Sequence, residues 1–297
     1  MLIAAYFARR SRKVLLTLAG LWLLLYGSFT LFRPPLLDDA DSVHAEVARE
    51  MVERHDWITL HANGIRYLEK APLMYWAMAG SFAVFGPEDW AARLPLALAV
   101  LALVLVVDAA GPRFFNSGIA GFYAALILLT SFGVFIYSHI LIPDVIVCLW
   151  LSLAMLLLWI SLDQERPSRA TAWGFAAACA LGVLTKGLIG VVFPIGIVVI
   201  FLWLNHNLRH LRRWHPFSSL AMFLVIAVPW HVAAGFANPG QGSPGGSMPS
   251  VGNVHGFFWF YFVNEQALRY LNRRVPRDYD TVPLLLGYGR VPHGPLV

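Results

Sequence analysis

Three aspartates, Asp38, Asp39 and Asp41, lie within four positions of one another, directly after an apolar run and Pro34–Pro35. Carboxylates this close raise one another's pKa, and a carboxylate with a raised pKa is suited to act as a general base. The alternative is that they are ordinary solvated side chains and that Asp41, or the neighbouring Ser42, caps a helix. If Asp41 is the cap, Asp39 is the better candidate for a catalytic base.

A second charged group is Glu69–Lys70, which precedes Ala71 and the apolar stretch 72–85. A lysine at the depth of the lipid headgroups is well placed to bind a phosphate. The alternative is a snorkelling lysine, whose stem covers apolar surface while its ammonium reaches water beside a carboxylate. Both interpretations place the pair at a membrane surface.

Asp144 and Lys186 are single charges inside apolar sequence, in HILIPDVIVCLW and GVLTKGLIGVV. A charge at the centre of a membrane helix costs about 2.5–3.5 kcal/mol on insertion scales. We therefore expect both residues near helix ends, facing a cavity, with a functional role. Asp108 is interpreted differently, as a charge at a helix end close to Arg113.

The composition is that of a membrane protein, because 58% of the 297 residues are hydrophobic and only 13% are charged. Soluble domains average about 45–50% and about 25% on these two measures. The net charge of +5 comes from basic residues in short connections between apolar runs, which is typical of membrane topology and excludes nucleic-acid binding. Cys148 and Cys179 fall in apolar runs and form neither a disulfide framework nor a metal motif.

The sequence therefore predicts an all-α integral membrane protein with a single membrane domain over residues 1–297. A spanning helix needs roughly 20 mostly apolar residues. Seven stretches qualify: 14–32, 91–110, 117–136, 145–162, 171–186, 188–204 and 217–236. Periplasmic loops are predicted at 33–90 and 237–281, and an incomplete last helix begins at 282.

The stretch Pro72–Phe85 decides the topology, because its 14 residues are too few to span a bilayer and favour a surface position. If it does not cross, all the basic short connections share the cytoplasmic side with the N-terminus. The basic residues concerned are Arg9, Arg10, Arg12, Lys13, Arg113, Arg166, Arg169, Arg209, Arg212 and Arg213. The first acidic loop, Asp144 and Lys186 then all lie on the periplasmic face.

Within the first loop, Ser42–His55 is predicted to form an amphipathic juxtamembrane helix that lies on the bilayer. A second such helix is predicted at Phe257–Asn272. The apolar face of the first helix would carry Val43, Val47, Ala48, Met51 and Val52, its polar face would carry Glu46, Glu50 and Glu53, and nearby interface anchors would be Trp57, Tyr67 and Trp76.

Several separate motifs occur in order over about residues 30–283, namely DDADSVHAEVAREM, NGIRYLEKAPLMYW, RLPLALAVL, PDV, LTKG and VPWH. In these motifs the chain resembles bacterial members of the protein-mannosyltransferase-like glycosyltransferases and is similar to the lipid A aminoarabinose transferases. The resemblance implies a GT-C-type multi-spanning helical bundle. It also implies transfer of a sugar, with inversion, from a polyprenyl-phosphate donor to a lipid, protein or glycan acceptor on the periplasmic face of the bacterial inner membrane.

The resemblance further implies which residues form the site. The first-loop acidic motif of the family matches Asp38–Asp39, or Ala40–Asp41 if no gap is allowed. The Glu-Lys-Pro-Pro motif matches Glu69–Lys70–Ala71–Pro72, with alanine in place of the first proline, and Lys186 matches a Thr-Lys-Gly motif. Tyr67, Lys70 and Asp144 match positions that line the donor-phosphate and acceptor region.

The chemistry expected from these residues is displacement at the anomeric carbon, with the lipid phosphate as leaving group. Lys70, helped by Arg49 or Lys186, would offset the charge that develops on the phosphate. Asp39 would take the proton of an acceptor hydroxyl or only orient it, and Asp144 would hold acceptor or sugar hydroxyls. The prenyl tail would lie among membrane lipids in an apolar groove beside the 72–85 helix.

The chain departs from the family pattern at two places. Glu265–Gln266 with Arg269 stands where relatives often have Glu-His and a basic residue, so no bound zinc and no other cofactor is predicted, and a divalent metal is left only as an alternative. Val282–Gly289 supplies only eight residues of a next apolar run, which predicts a C-terminally truncated chain.

Two alternatives to a transferase remain at this point. One is an inactive remnant or assembly subunit of such an enzyme, which the early end of the chain would explain. The other is a lipid or sugar transporter in which Asp144 and Lys186 form a coupled charge pair. A transporter calls for broken helices and inverted symmetry between two halves, and the sequence shows neither.

Overall fold

A computed structural model describes residues 10–32, 35–36, 39–164, 167–240, 251–269 and 271. The chain divides into two units, Met1–Ala237 and Asn238–Val297. Nearly all of the described secondary structure is helical, as the sequence predicts.

The first unit holds ten helices among its described residues. They are α1 (Arg12–Trp22, a π-helical segment Leu23–Gly27, and Ser28–Leu31), α2 (Asp39–Arg54), α3 (Leu73–Phe85), α4 (Asp89–Phe114), α5 (Gly118–Leu129), α6 (Phe132–His139), α7 (Asp144–Leu162), α8 (Arg169–Lys186), α9 (Ile189–Leu204) and α10 (Pro216–Ala237). A 3₁₀ segment, Leu208–Arg213, precedes α10. Two short strands, β1 (His61–Ala62) and β2 (Ile65–Arg66), pair antiparallel between α2 and α3.

Three helices in the described part of the chain, α4, α7 and α10, are long and apolar enough to cross a membrane. Helices α5 and α6 meet at a bend of 54° and pass the same test only as a pair, and α3 and α9 are shorter apolar helices. Six of the seven predicted spans coincide with one of these helices, whereas the span predicted at 117–136 is divided between α5 and α6. How many of them cross, and in which direction, stays a prediction.

Helix α3 has 13 residues, which gives a length of roughly 20 Å at 1.5 Å per residue. The hydrocarbon core of a bilayer is about 30 Å thick. Its length therefore fits the predicted surface position of Pro72–Phe85, although the position itself stays a prediction.

Close glycine contacts set the spacing of two helix pairs. A Cβ added to Gly111 in α4 would lie 2.1 Å from the Cα of Gly121 in α5. A Cβ added to Gly190 in α9 would lie 2.1 Å from the carbonyl carbon of Gly182 in α8. Small residues allow such close backbone approach between membrane helices. The second contact fixes the end of α8, where Lys186 lies.

Asp108 in α4 is fully buried, and its partner is Arg10. Arg10 Nε donates to Asp108 Oδ2 at 2.8 Å, and Nη2 donates both to Oδ1 and to the Gly118 carbonyl, the latter at 2.9 Å. The predicted neighbour, Arg113, instead donates to the Ala109 carbonyl. That prediction was wrong because residues five apart do not share a helix face.

The second unit contains α11 (Val251–Phe258), interrupted by a non-helical Gly256, and a π-helical segment, Trp259–Leu268. The helix predicted at Phe257–Asn272 is confirmed as far as Leu268. Residues 270 and 272 lie outside the described residues. Glu265 is buried and accepts hydrogen bonds from Asn264 Nδ2 and Arg269 Nη1.

Candidate functional site

Helix α2 is amphipathic, as predicted, and its inner face carries ionisable residues. Asp41, His44, Val47, Ala48 and Met51 recur at helical spacing, and all five are buried. This face packs into the main apolar core of the first unit. The start of α2 therefore brings polar groups of the first loop into the protein interior.

Glu50 was predicted to lie on the polar face of α2, and this prediction was wrong. Its side chain is buried, with the residue 4% exposed, and Oε1 accepts a hydrogen bond from Gly64 N at 2.7 Å. Oε2 accepts from Arg54 Nε at 2.7 Å. The periodicity of α2 alone could not show this, because the covering group comes from the β1–β2 hairpin.

The hairpin turns at Asn63–Gly64, which both have positive φ, 52° and 78°. Positive φ at both central residues is the geometry of a type I′ turn, which suits Asn-Gly. After β2, Tyr67 N donates to the Leu60 carbonyl at 2.8 Å. The hairpin, fixed to Glu50, thus determines where Tyr67 and the following Glu69–Lys70 lie.

Two tryptophans bind the loop before the hairpin. Trp76 Nε1 in α3 donates to the Trp57 carbonyl at 2.9 Å, and Trp230 Nε1 in α10 donates to the Ile58 carbonyl at 3.0 Å. Asp56 Oδ1 accepts from the backbone N–H groups of Ile58 and Thr59. Helices distant in sequence thereby hold the first loop in one place.

His44 lies at the centre of an aromatic group that the sequence reasoning missed. Its ring stacks on Tyr75 with centroids 5.6 Å apart and meets Tyr67 edge-on at 6.4 Å. Nδ1 lies 2.8 Å from the Ala40 carbonyl, which accepts hydrogen bonds only, so Nδ1 carries the proton. Burial and the charge of Lys70 lower the pKa of His44 to about 4, against an opposing effect of Glu69.

His44 is therefore neutral near pH 7, and Lys70 supplies the positive charge beside it. A signal for His44 was present in the sequence. It follows Asp41 by three residues, which places both on one face of α2.

Asp41 joins α2 to a segment 100 residues away. Its Oδ1 accepts a hydrogen bond from Leu141 N at 2.6 Å, and its Oδ2 lies 3.6 Å from Arg93 Nη2. Asp41 is inside α2, which begins at Asp39, and the residue is 6% exposed. The interpretation of Asp41 as the helix cap was wrong, because its carboxylate binds another segment of the chain.

Asp144 and Lys186 form the open ion pair of the site. Lys186 Nζ donates to Asp144 Oδ1 at 2.6 Å, and each side chain is 38% exposed. Asp144 lies in the first turn of α7 and Lys186 in the last turn of α8, where the helix dipoles favour these charges. The expectation that both lie near helix ends is confirmed.

The remaining predicted residues are less well defined. Arg49 donates to both carboxylate oxygens of Glu46, at 2.8 and 2.6 Å, and to Glu53 on its own helix. The hydrogen bond from Arg49 lowers the pKa of Glu46. Asp38 lies outside the described residues, and the structure describes Asp39 only as the start of α2. Roles for Arg49, Asp38 and Asp39 stay predictions.

An apolar groove lies between α3 and the start of α4. Its volume is about 380 Å³, and it is lined by Ala77, Ser81, Phe85, Leu94, Pro95 and Leu98. Its lining on α3 begins at Ala77, seven residues after Lys70. Within the described part of the chain, no three histidine, cysteine or acidic side chains are grouped so as to hold a metal ion.

Membrane-length helices, a packed first loop and charged residues at helix ends define a multi-spanning helical membrane protein of the GT-C fold. The chain matches the family described as dolichyl-phosphate-mannose-protein mannosyltransferase over residues 69–232. The chain belongs to this family.

Two solved structures share the fold. ArnT from Cupriavidus metallidurans bound to undecaprenyl phosphate superposes with a TM-score of 0.75 at 24% identity, covering 94% of this chain and 49% of that one. The apo state of the same protein gives a TM-score of 0.69 at 24% identity, covering 91% and 48%.

Curated relatives are undecaprenyl phosphate-alpha-4-amino-4-deoxy-L-arabinose arabinosyl transferases. The one from Aeromonas salmonicida is 30% identical over 273 residues, 90% of this chain and 47% of the relative. One from Pseudomonas fluorescens is 32% identical over 193 residues, 63% of this chain and 32% of the relative. The chain spans about half the length of the relatives that it matches over most of its own length.

Proposed function

We propose that this chain is a membrane glycosyltransferase, or the donor-binding part of one, that uses a polyprenyl-phosphate sugar. The sugar would pass, with inversion, to an acceptor on the periplasmic face of a bacterial inner membrane, with the N-terminus of the chain in the cytoplasm. The observation that carries the proposal is the open Asp144–Lys186 pair, which Leu141 and Asp41 connect to the loop that bears Lys70.

The proposed lipid carrier is undecaprenyl phosphate. The relatives are named as transferases that use undecaprenyl phosphate-linked aminoarabinose, and a structure of the same fold is bound to undecaprenyl phosphate. A pentose of this kind is the first sugar to test. The acceptor is proposed only as a hydroxyl-bearing or phosphate-bearing lipid, protein or glycan.

Lys70 is the proposed contact for the donor phosphate, with Tyr67 and Glu69 placing it. The bond between the anomeric carbon and the phosphate oxygen breaks, and its electron pair goes to the phosphate. A fixed ammonium next to that oxygen stabilises the charge as it develops. Because His44 is neutral, Lys70 supplies the cation on this side, and Lys186 supplies a second one at the other side.

Asp39 is the proposed general base, with Asp38 as the alternative. It would take the proton of the acceptor hydroxyl as the acceptor oxygen bonds to the anomeric carbon, or only orient an acceptor that is already ionised. Asp41 is a weaker candidate because its oxygens already contact Leu141 N and Arg93. Asp144 has one oxygen, Oδ2, left to bind sugar or acceptor hydroxyls.

The groove between α3 and α4 is the proposed site of the first isoprene units of the donor. Its lining is apolar except for the hydroxyl of Ser81. Its lining on α3 begins seven residues after Lys70, so we propose that a phosphate held by Lys70 has its tail along α3 in the groove. Arg49 would assist only after leaving Glu46 and Glu53.

The lysines of the chain offer a matched test, because there are only three: Lys13, Lys70 and Lys186. Binding of undecaprenyl phosphate to the protein in lipid nanodiscs would be measured for Lys70→Met and for Lys13→Met as control. Loss of a charge-assisted contact predicts an affinity at least about 10-fold lower for Lys70→Met, with Lys13→Met unchanged. Equal affinities of wild type and Lys70→Met would overturn the donor site.

A further inference from the structure

Arg93 is a buried cation that the proposed function does not use. It lies near the start of α4, is 4% exposed, and contacts Asp41 Oδ2 at 3.6 Å and the Pro35 carbonyl at 3.2 Å. A buried guanidinium is costly unless a carboxylate compensates it, and an apolar pair of similar volume is often as stable. The pair is therefore better explained by what it positions than by the stability it provides.

The other oxygen of Asp41 leads to the segment between α6 and α7. Leu141, whose N–H it accepts, is fully buried and precedes Asp144 by three residues. The intervening backbone is tight, because Ile142 N donates to the Ile140 carbonyl at 2.8 Å and Val147 N to the Pro143 carbonyl at 2.9 Å. Moving Leu141 would move the first turn of α7 with it.

The same carboxylate lies one turn from His44 on α2. The His44 ring meets Tyr67 edge-on with centroids 6.4 Å apart, and Tyr67 precedes Lys70 by three residues. Asp41 thus connects the two halves of the proposed site, with His44 on its own helix and the Asp144–Lys186 pair beyond Leu141. Arg93 contacts this carboxylate within the protein interior, where both side chains are buried.

We propose that Arg93 is a positioning residue for the transfer step. By fixing the Asp41 carboxylate on Leu141 N, it sets the distance between the donor phosphate at Lys70 and the hydroxyl-binding carboxylate of Asp144. This inference rests on the proposed function. It predicts that Arg93 affects the rate of transfer more than the affinity for the lipid carrier.

The test compares Arg93→Met, Asp41→Asn and the double variant Asp41→Asn/Arg93→Met, with Arg169→Met as an exposed control. Asparagine keeps an oxygen for Leu141 N, so the double variant removes both charges and retains the hydrogen bond. Each protein in nanodiscs is assayed for undecaprenyl phosphate affinity, for kcat and KM of sugar transfer from a radiolabelled polyprenyl-phosphate sugar, and for Tm.

Arg93→Met is expected to lower kcat at least about 10-fold, with the lipid affinity within about 3-fold of wild type. The double variant is expected to recover Tm, because no charge of the pair is left uncompensated, but not kcat, because no guanidinium then holds the side chain at position 41 on Leu141 N. An unchanged kcat in Arg93→Met, a double variant that recovers kcat together with Tm, or equal losses of kcat, affinity and Tm in Arg93→Met would overturn the inference.

Failure of the wild type and failure of Arg93→Met to fold have separate meanings. If wild type neither binds the lipid nor transfers sugar, the proposed function fails, whatever Arg93 does. If Arg93→Met does not fold, Arg93→Lys retains the cation without the planar fork. It is expected to lower kcat at least about 3-fold at near-normal Tm. Wild-type kcat in Arg93→Lys would then count against the positioning role.

Discussion

Two pairs of the first unit each join an aspartate to a basic side chain, but they differ in exposure. In the Arg10–Asp108 pair the side chains are 14% and 0% exposed, whereas in the Asp144–Lys186 pair both are 38% exposed. Arg10 binds both oxygens of Asp108, while Lys186 binds one oxygen of Asp144. Buried pairs are costly to break, and exposed pairs add about 0–1 kcal/mol. We therefore assign stability to the first pair and ligand binding to the second.

The largest expected effect is the loss of stability when the buried Arg10–Asp108 pair is broken. Asp108→Asn leaves the Arg10 guanidinium buried without a compensating charge, which typically costs about 3–5 kcal/mol of stability. We expect a lower Tm and a smaller yield of folded protein, with lipid affinity per folded molecule unchanged. Thermal unfolding in detergent, together with undecaprenyl phosphate binding, measures both. A normal Tm in Asp108→Asn would remove the contrast between the pairs.

Breaking the Asp144–Lys186 pair is expected to lower sugar transfer and to leave Tm nearly unchanged. Asp144→Asn should lower sugar transfer about 100-fold, because it removes the carboxylate that we propose holds a reacting hydroxyl. Its Tm should stay within about 2 °C of wild type, since an exposed pair contributes little to stability. Transfer assays and melting curves on the same samples are the measurement. A large fall in Tm with undiminished transfer would reverse the assignment.

The smallest expected effect is a pH dependence of stability that comes from His44. The pKa of His44 is lowered to about 4 in the folded protein from an unfolded value of about 6.5. Between these values the unfolded chain binds one more proton than the folded protein. The contribution of His44 to the free energy of unfolding therefore rises with pH and reaches its full value above about pH 6.5. From pH 6.5 to 5 the loss is at most about 2 kcal/mol.

His44→Phe should flatten this part of the profile, because it removes the group that titrates beside Tyr67, Tyr75, Glu69 and Lys70. Melting temperatures of both proteins between pH 5 and pH 7 provide the test. A His44→Phe profile as steep as that of wild type would show that another group causes the slope.

Local pattern was sufficient for most helices and for the two charges of the open pair. The apolar runs predicted one helix each at six of the seven proposed spans, and the seventh, 117–136, forms the two helices α5 and α6. Asp144 and Lys186 were singled out because a charge within an apolar run is expected at a helix end, and the structure places both there. Family motifs, which span several runs, supplied the fold.

Contacts between distant segments could not be predicted in this way. Asp41 binds Leu141 across 100 positions and Arg10 binds Asp108 across 98, and no periodicity within one helix encodes either contact. Glu50 was misplaced for the same reason, since the hairpin that covers it is a neighbour in space. His44 was also missed, although its spacing from Asp41 in the sequence places both on one face of α2.

The two cysteines allow the most direct test of the open pair as a ligand site. Cys148 is exposed and follows Asp144 by one helical turn, whereas Cys179 is buried and serves as an internal control. The rate of Cys148 modification by a membrane-permeant maleimide would be measured in nanodiscs with and without undecaprenyl phosphate, with Cys179 followed by mass spectrometry. The expected result is at least about 5-fold slower modification of Cys148 when the lipid is bound and an unmodified Cys179 throughout. Unchanged modification of Cys148 at saturating lipid would contradict the proposed second contact of the donor phosphate at Lys186.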